Sequence, residues 1–211
     1  MNKGPALIIF QKNLVLGKVK TRLAQTIGDD LALEVYEKLV ELTQKEAEKV
    51  QLERLIYFSD FLPEETPKPG FSYCLQMGAD LGERMSNAFA EVFEKGFSPI
   101  LIIGTDCPLI SCEVIENALD QLGQVDLVIG PAEDGGYFLL GMRTFFPEIF
   151  KTITWSSDQV LPQTLEIARK QKLNVGLLPE LFDIDHEEDL NRFINLKPEY
   201  EYLFRNSSGR L

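Results

Sequence analysis

The chain has 211 residues, 45% of them hydrophobic and 26% charged, the balance of a globular protein long enough to bury one large core. Its net charge of −12 disfavours nucleic acid as a partner, and no apolar run approaches the ~20 residues of a membrane span. The charge is uneven: residues 1–28 hold Lys3, Lys12, Lys18, Lys20 and Arg22 and no acid, while the other 183 residues carry 16 basic and 33 acidic side chains. A basic segment in an acidic chain suits a small anion. Met1 to Phe10 has neither the apolar core nor the cleavage site of a secretory signal, so a cytoplasmic location is expected. Three cysteines (Cys74, Cys107 and Cys112) beside a single histidine argue against a disulfide framework and against a zinc site.

In chain order, Ala6 to Phe10 reads as a first strand, and Gln11 to Thr21 as a polar, basic loop containing Gly17. Asp29-Asp30 open a helix to about Val50, with Leu31, Val35, Leu39 and Leu42 on one stripe and acids suited to the dipole of its first turn. Leu55–Phe58 and Phe71–Gln76 read as strands on either side of a proline-rich loop. Asp80 and Glu83 have capping-box spacing for a helix over 81–95. A buried strand over 99–103 follows, then a helix over Cys112–Leu122, strands over Val125–Ile129 and Tyr137–Met142, and a short helix over Phe145–Phe150. Ser156-Ser157 can cap a helix over Asp158–Lys170; Val175–Leu178 is a last strand and Glu187–Asn195 a last regular helix. Strands alternating with helices predict an α/β chain with a mostly parallel sheet. Neither a repeat nor a linker divides it, and 206–211 is a small polar tail expected to fray.

Four stretches carry chemistry. Gly17-Lys18-Val19-Lys20-Thr21-Arg22 follows the first strand, and its cations can neutralise phosphate oxygens, although it is neither a Walker A loop nor a Gly-x-Gly-x-x-Gly turn. Asp106 lies just past the carboxyl end of the strand over 99–103, the edge where open α/β sheets bind ligands. An aspartate there can cap the next turn, and beside a polyphosphate it is also a natural Mg²⁺ ligand. Gly130-Pro131-Ala132-Glu133-Asp134-Gly135-Gly136-Tyr137 offers two carboxylates and a close backbone approach, and is also good turn chemistry. Asp183 and Asp185, two apart, point the same way if extended, although Asp185 with Glu188 can equally open a helix. His186 fits that helix start better than a ligand role. Trp155 can stack on a base or a sugar, or serve as core.

Taken together, Gly17-x-x-Lys20-Thr21-Arg22-Leu23, Asp80-Leu81-Gly82-Glu83-Arg84, Gly104-Thr105-Asp106-Cys107-Pro108, Gly130-Pro131-x-x-Asp134-Gly135-Gly136-Tyr137, Trp155-Ser156 and Asp183-x-Asp185 resemble a GT-A-like transferase family. That family is labelled arsenosugar-biosynthesis glycosyltransferase or radical-SAM/selenodomain-associated transferase. It is similar in turn to the 2-phospholactate and molybdenum-cofactor guanylyltransferases. The resemblance spans about residues 6–195. It implies a single-domain nucleotide-diphospho-sugar transferase (GT-A-like) fold over residues 1–205, with a mostly parallel central sheet and helices on both faces.

The resemblance further implies that Lys20 and Arg22, with Gly17 and Thr21, hold nucleotide phosphates. Asp80, Leu81 and Gly82 would border the base, and Gly135 and Gly136 would approach the nucleotide closely. Asp106 and Asp185 would bind Mg²⁺ or Mn²⁺. A histidine, His186, stands where the family pattern leads us to expect threonine, and Gln11 and Asn13 stand where it leads us to expect a more basic or proline-containing loop.

Three functions follow in order of expectation. The first is metal-dependent glycosyl transfer from a nucleotide sugar to a small acceptor, with Asp134 or Glu133 as base. The second is nucleotidylyl transfer, in which a phosphorylated small molecule attacks a nucleoside triphosphate and pyrophosphate leaves. The third is a non-catalytic nucleotide-binding module. No membrane partner is expected, and the oligomeric state is left open.

Overall fold

The computed structural model describes residues 2–204. The expected frayed tail, 206–211, lies outside them. Seven strands form one sheet: β1 (Ala6–Gln11), β2 (Glu53–Phe58), β3 (Ser72–Leu75), β4 (Ile100–Ile103), β5 (Leu127–Pro131), β6 (Tyr137–Met142) and β7 (Val175–Leu177). Their order across the sheet is β3-β2-β1-β4-β6-β5-β7. Only β6 runs antiparallel to its neighbours β4 and β5; the other pairs are parallel. Parallel neighbours need crossovers, and helices supply them except between β2 and β3, which the loop over 59–71 joins. These are α1 (Thr21–Ile27) with α2 (Asp29–Glu48), α3 (Leu81–Glu94), α4 (Cys112–Leu122) and α5 (Val160–Lys170); α6 (Glu187–Leu196) and α7 (Glu201–Phe204) follow β7.

Both faces of the sheet are covered, as the unbroken apolar run of β4 predicts: all four of its residues are buried. Leu7, Ile9, Leu101 and Ile103 face the side packed by the end of α2 and by α4. Ile8, Leu55, Ile102, Ile129 and Leu140 face the side packed by α3 and α5. A third cluster joins α1, α2, α6 and α7 through Leu23, Val35, Leu39, Leu190 and Phe193, with Phe182 and Ile184 inserted into it. This cluster fixes the segments that carry Lys20, Arg22, Asp183 and Asp185.

The structure differs from the sequence expectation at element ends. Residues 21–27 form α1, where no helix was expected before Asp29; a seven-residue helix with one fully buried apolar residue, Leu23, has no stripe to reveal it. Gly28 separates α1 from α2. β5 begins two residues later than expected, because the Asp126 carboxylate is engaged by Asn174 N and Arg143. α5 begins at Val160 because Ser157 takes the Gln159 N–H in a preceding turn. The short helix expected at 145–150 is a 3-10 turn over Pro147–Phe150. Among the described residues, no helix is long and apolar enough to cross a membrane. The three cysteines are free; Cys107 is buried, which pushes its thiol upward and away from reactivity.

Candidate active site

A cleft of about 780 Å³ opens at the carboxyl edge of the parallel strands. Ile103 ends β4, and the turn Gly104–Pro108 places Asp106 on the cleft wall. The chain after β7 is then led past two strand ends by backbone hydrogen bonds. Leu181 N donates to Pro131 O (3.0 Å), Glu133 N donates to Leu181 O (3.0 Å), and Ile184 N donates to Asp106 O (3.0 Å). In this extended run Phe182 and Ile184 enter the third apolar cluster, so Asp183 and Asp185 turn to the cleft.

The loop after β1 comes from the opposite wall. Lys20, the residue before α1, is buried and adopts a left-handed conformation (φ 46°, ψ 42°). Holding a lysine there costs on the order of 1 kcal/mol. The ammonium of Lys20 is ion-paired with Asp106 and lies 3.4 Å from Asp185, and Arg22 Nη1 lies 2.9 Å from the other Asp185 oxygen. Burial alone would lower the Lys20 pKa; Asp106 and Asp185 outweigh it and hold the amine above its usual value. Asp183 goes the other way. Burial, and then the charge of Asp106, raise its carboxyl to about 7, with Asp134 and Asp185 adding to the rise and Lys20 opposing it.

Tyr36 of α2 ties the two walls together. Its hydroxyl accepts from Lys12 N (2.8 Å) and shares a hydrogen bond with the hydroxyl of Thr105 (2.8 Å), the residue before Asp106. Asn13, also buried, ties the same loop to the one after β2, donating to Phe61 O (2.8 Å) and accepting from Asp60 N (3.0 Å). These contacts give Asn13 a structural reason to stand in that loop.

Of the residues singled out from sequence, Lys20, Thr21, Arg22, Leu81, Asp106, Asp134, Gly136 and Asp185 line the cleft together. Five do not, and each has another task. Gly17 sits in a turn nearest to Asp29. The Asp80 carboxylate caps α3, accepting from Glu83 N (2.8 Å), while Glu83 reaches back to Ala79 N. Gly82 is packed against the indole of Trp155, with which any Cβ would collide. Gly135, at φ +86°, passes against the backbone of Asp158. Glu133 points away to Arg192, which holds both its oxygens (2.7 and 2.8 Å) and keeps its carboxyl below the usual range. The α6 cap is also corrected: His186 is the capping position, and Asp189 accepts from His186 N and Asp185 N, which leaves the Asp185 carboxylate to the cleft.

The cleft gains residues to which the sequence assigned no role there: Tyr36, Gln76, Arg84 and Asp158. Asp158 could be found only from the fold, since in the sequence it reads as an ordinary helix start. Among the described residues, no group of three or more His, Cys, Asp and Glu side chains is arranged to hold a metal ion by itself. Magnesium and manganese sites at nucleotide phosphates need only one or two protein carboxylates, the phosphates and water completing the set. Asp106 and Asp185 supply carboxylate oxygens of the type such a cation takes, and both are now paired with the Lys20 ammonium.

No curated protein matches the chain in sequence. Among solved structures, it is similar to a candidate nucleotide-diphospho-sugar transferase from Desulfovibrio desulfuricans, at 30% identity and a TM-score of 0.86, with 97% of this chain and 98% of that one covered. It shares its fold with 4-diphosphocytidyl-2C-methyl-D-erythritol synthase from Anaerococcus prevotii at 13% identity (TM-score 0.59; 93% and 99% covered). It also shares it with Rv0371c from Mycobacterium tuberculosis in complex with manganese, at 11% identity (TM-score 0.56; 90% and 98% covered). The architecture is thus that of the nucleotide-diphospho-sugar transferases and cytidylyltransferases. The family model described as "Uncharacterized protein conserved in bacteria (DUF2064)" matches residues 42–157, more than half of the sequence, and the chain belongs to that family.

Proposed function

We propose that the chain is a metal-dependent transferase that moves a sugar from a nucleotide sugar to a small acceptor. The observation that carries this reading is the convergence of Lys20 and Arg22 with Asp106, Asp183 and Asp185 at one sheet edge. Lys20 and Arg22 bind and orient the diphosphate. Their charges stabilise it as it leaves, since negative charge builds on its bridging oxygen when the sugar carbon–oxygen bond breaks. Asp106 and Asp185, with Asp183 behind them, would hold Mg²⁺ or Mn²⁺, whose contribution is further charge neutralisation at the phosphates. Asp134, facing the cleft, accepts the proton of an acceptor hydroxyl as its oxygen bonds to the sugar carbon. Gly136 N fixes one Asp134 oxygen at 2.9 Å, so the carboxylate is oriented in advance. The similarity to a nucleotide-diphospho-sugar transferase at 30% identity supports this reading, as does the motif set in the sequence.

A second reading, nucleotidylyl transfer, is favoured by the cationic loop after β1 and by the cytidylyltransferase fold of a more distant relative. One assay separates the two. Purified protein is incubated with Mg²⁺ and, in turn, nucleotide sugars and nucleoside triphosphates, with hydroxyl and phosphate acceptors. Nucleoside diphosphate with a glycosylated product supports sugar transfer, and pyrophosphate supports the alternative. If neither class of nucleotide binds in the presence of metal, the transferase reading fails.

A further inference from the structure

The cleft is divided by charge. Its cations, Lys12, Lys20, Arg22 and Arg84, all come from segments that follow β1 and β3. The lining contributed by the β5–β6 hairpin and the approach to α5 contains no cation. It presents Asp134 and Asp158, Ser156, and the indole of Trp155. These two stretches form one wall. Gly135 abuts the Asp158 backbone, and Leu161 N donates to Gly135 O (2.9 Å). Trp155 is fixed at the edge of this wall by its contact with Gly82 of α3.

We propose that this wall is the acceptor subsite and that it takes a hydroxyl-bearing ring compound that is neutral or amine-substituted, and discriminates against a phosphorylated or carboxylated one. The proposal rests on the transferase reading above. The nucleotide phosphates are drawn to the cationic segments, so the acceptor is left with the acidic and aromatic side. A ring can stack on Trp155, and hydroxyl or ammonium groups can donate to Asp134, Asp158 and Ser156. A phosphate group, the nucleophile that nucleotidylyl transfer needs, would enter against two carboxylates on a wall that contributes no cation. The acceptor's charge thereby becomes a criterion for which bond on the nucleotide is broken.

Trp155 is the single tryptophan of the chain, so its emission reports on this wall directly. The full-length protein is titrated with glucose, glucosamine and glucose 6-phosphate, with and without Mg²⁺ and a nucleoside diphosphate. Glucosamine and glucose are expected to shift the emission, with glucose 6-phosphate binding at least about tenfold more weakly than glucosamine. Asp158→Lys is expected to reverse the order of glucosamine and glucose 6-phosphate, and Asp158→Asn to narrow the gap. Equal binding of the two by the wild type overturns the proposal, as does an unchanged order in Asp158→Lys or silence of Trp155 toward all three. Calorimetry of nucleoside diphosphate binding, run in parallel, tests the transferase reading separately. If no nucleoside diphosphate binds, that reading fails, and the titrations without nucleotide still decide the charge preference.

Discussion

The ammonium of Lys20 is ion-paired with the carboxylate of Asp106, across the gap between the loop after β1 and the end of β4. The lysine side chain is 3% exposed and the aspartate 35%, so the positive charge is the more deeply buried partner. Lys20→Met removes the cation and leaves Asp106 and Asp185 facing each other. It is expected to lower turnover by at least about a hundredfold, because a transition-state charge loses its counterpart. Asp106→Asn leaves the buried lysine with only the longer contact to Asp185 and is expected to destabilise the fold by about 2–4 kcal/mol. Urea unfolding of both single variants and of the double variant checks this. The double variant should be more stable than the sum of the two losses predicts.

Asp183 gives the metal-free protein a pH dependence. Its carboxyl sits at about 7 in the fold, against a usual value of 3.8. Between those two pH values the folded state holds a proton that the unfolded chain has released, so this group's contribution to stability falls as pH rises from about 4 to 7. Asp183→Asn removes that slope. In EDTA at pH 8 the variant is expected to be more stable than wild type by on the order of 2–4 kcal/mol, at ~1.4 kcal/mol per pKa unit. Urea unfolding at pH 4.5 and pH 8 measures it, and a variant less stable than wild type at pH 8 contradicts the assignment.

Divalent metal should oppose this electrostatic cost. Mn²⁺ with a nucleoside diphosphate is expected to raise the melting temperature, corresponding to about 2.7 kcal/mol at a hundred times the dissociation constant. EDTA should abolish the increment. Asp106→Ala and Asp185→Ala should each lose most of it, whereas Asp126→Ala, just before β5 at the opposite edge of the sheet, should keep it.

The two neighbouring acids of the β5–β6 hairpin should separate cleanly in kinetics. Glu133 is committed to Arg192 outside the cleft, so Glu133→Ala is expected to leave kcat/KM within about threefold, a change too small for a proton acceptor. Asp134→Asn is expected to lower kcat by about 10²–10⁴-fold with little change in KM. Equal losses in the two variants would show that the hairpin acts as a structural unit rather than through Asp134.

The α/β alternation, the buried β4 strand and the placement of Asp106 beyond it could be read from local patterns alone. A strand covered on both faces must be apolar throughout, and a carboxylate just past such a strand emerges at the ligand edge of the sheet. The basic, acid-free opening 28 residues likewise supply Lys12, Lys20 and Arg22 to the cleft. The sequence could not distinguish Glu133 from Asp134, since adjacent residues of a turn look alike until the turn's direction is known; only the docking of α6 gives Glu133 its partner, Arg192. Nor could it separate the two uses of Asp185, which were decided when Asp189 took over the capping of α6. Asp158 and Tyr36 entered the site through contacts more than twenty residues away along the chain, with Gly135 and with Thr105 and Lys12. Periodicity reports which face of an element is buried, because that face repeats along the chain. It carries no information about which loops meet at a sheet edge, because that is fixed by crossovers and long-range packing.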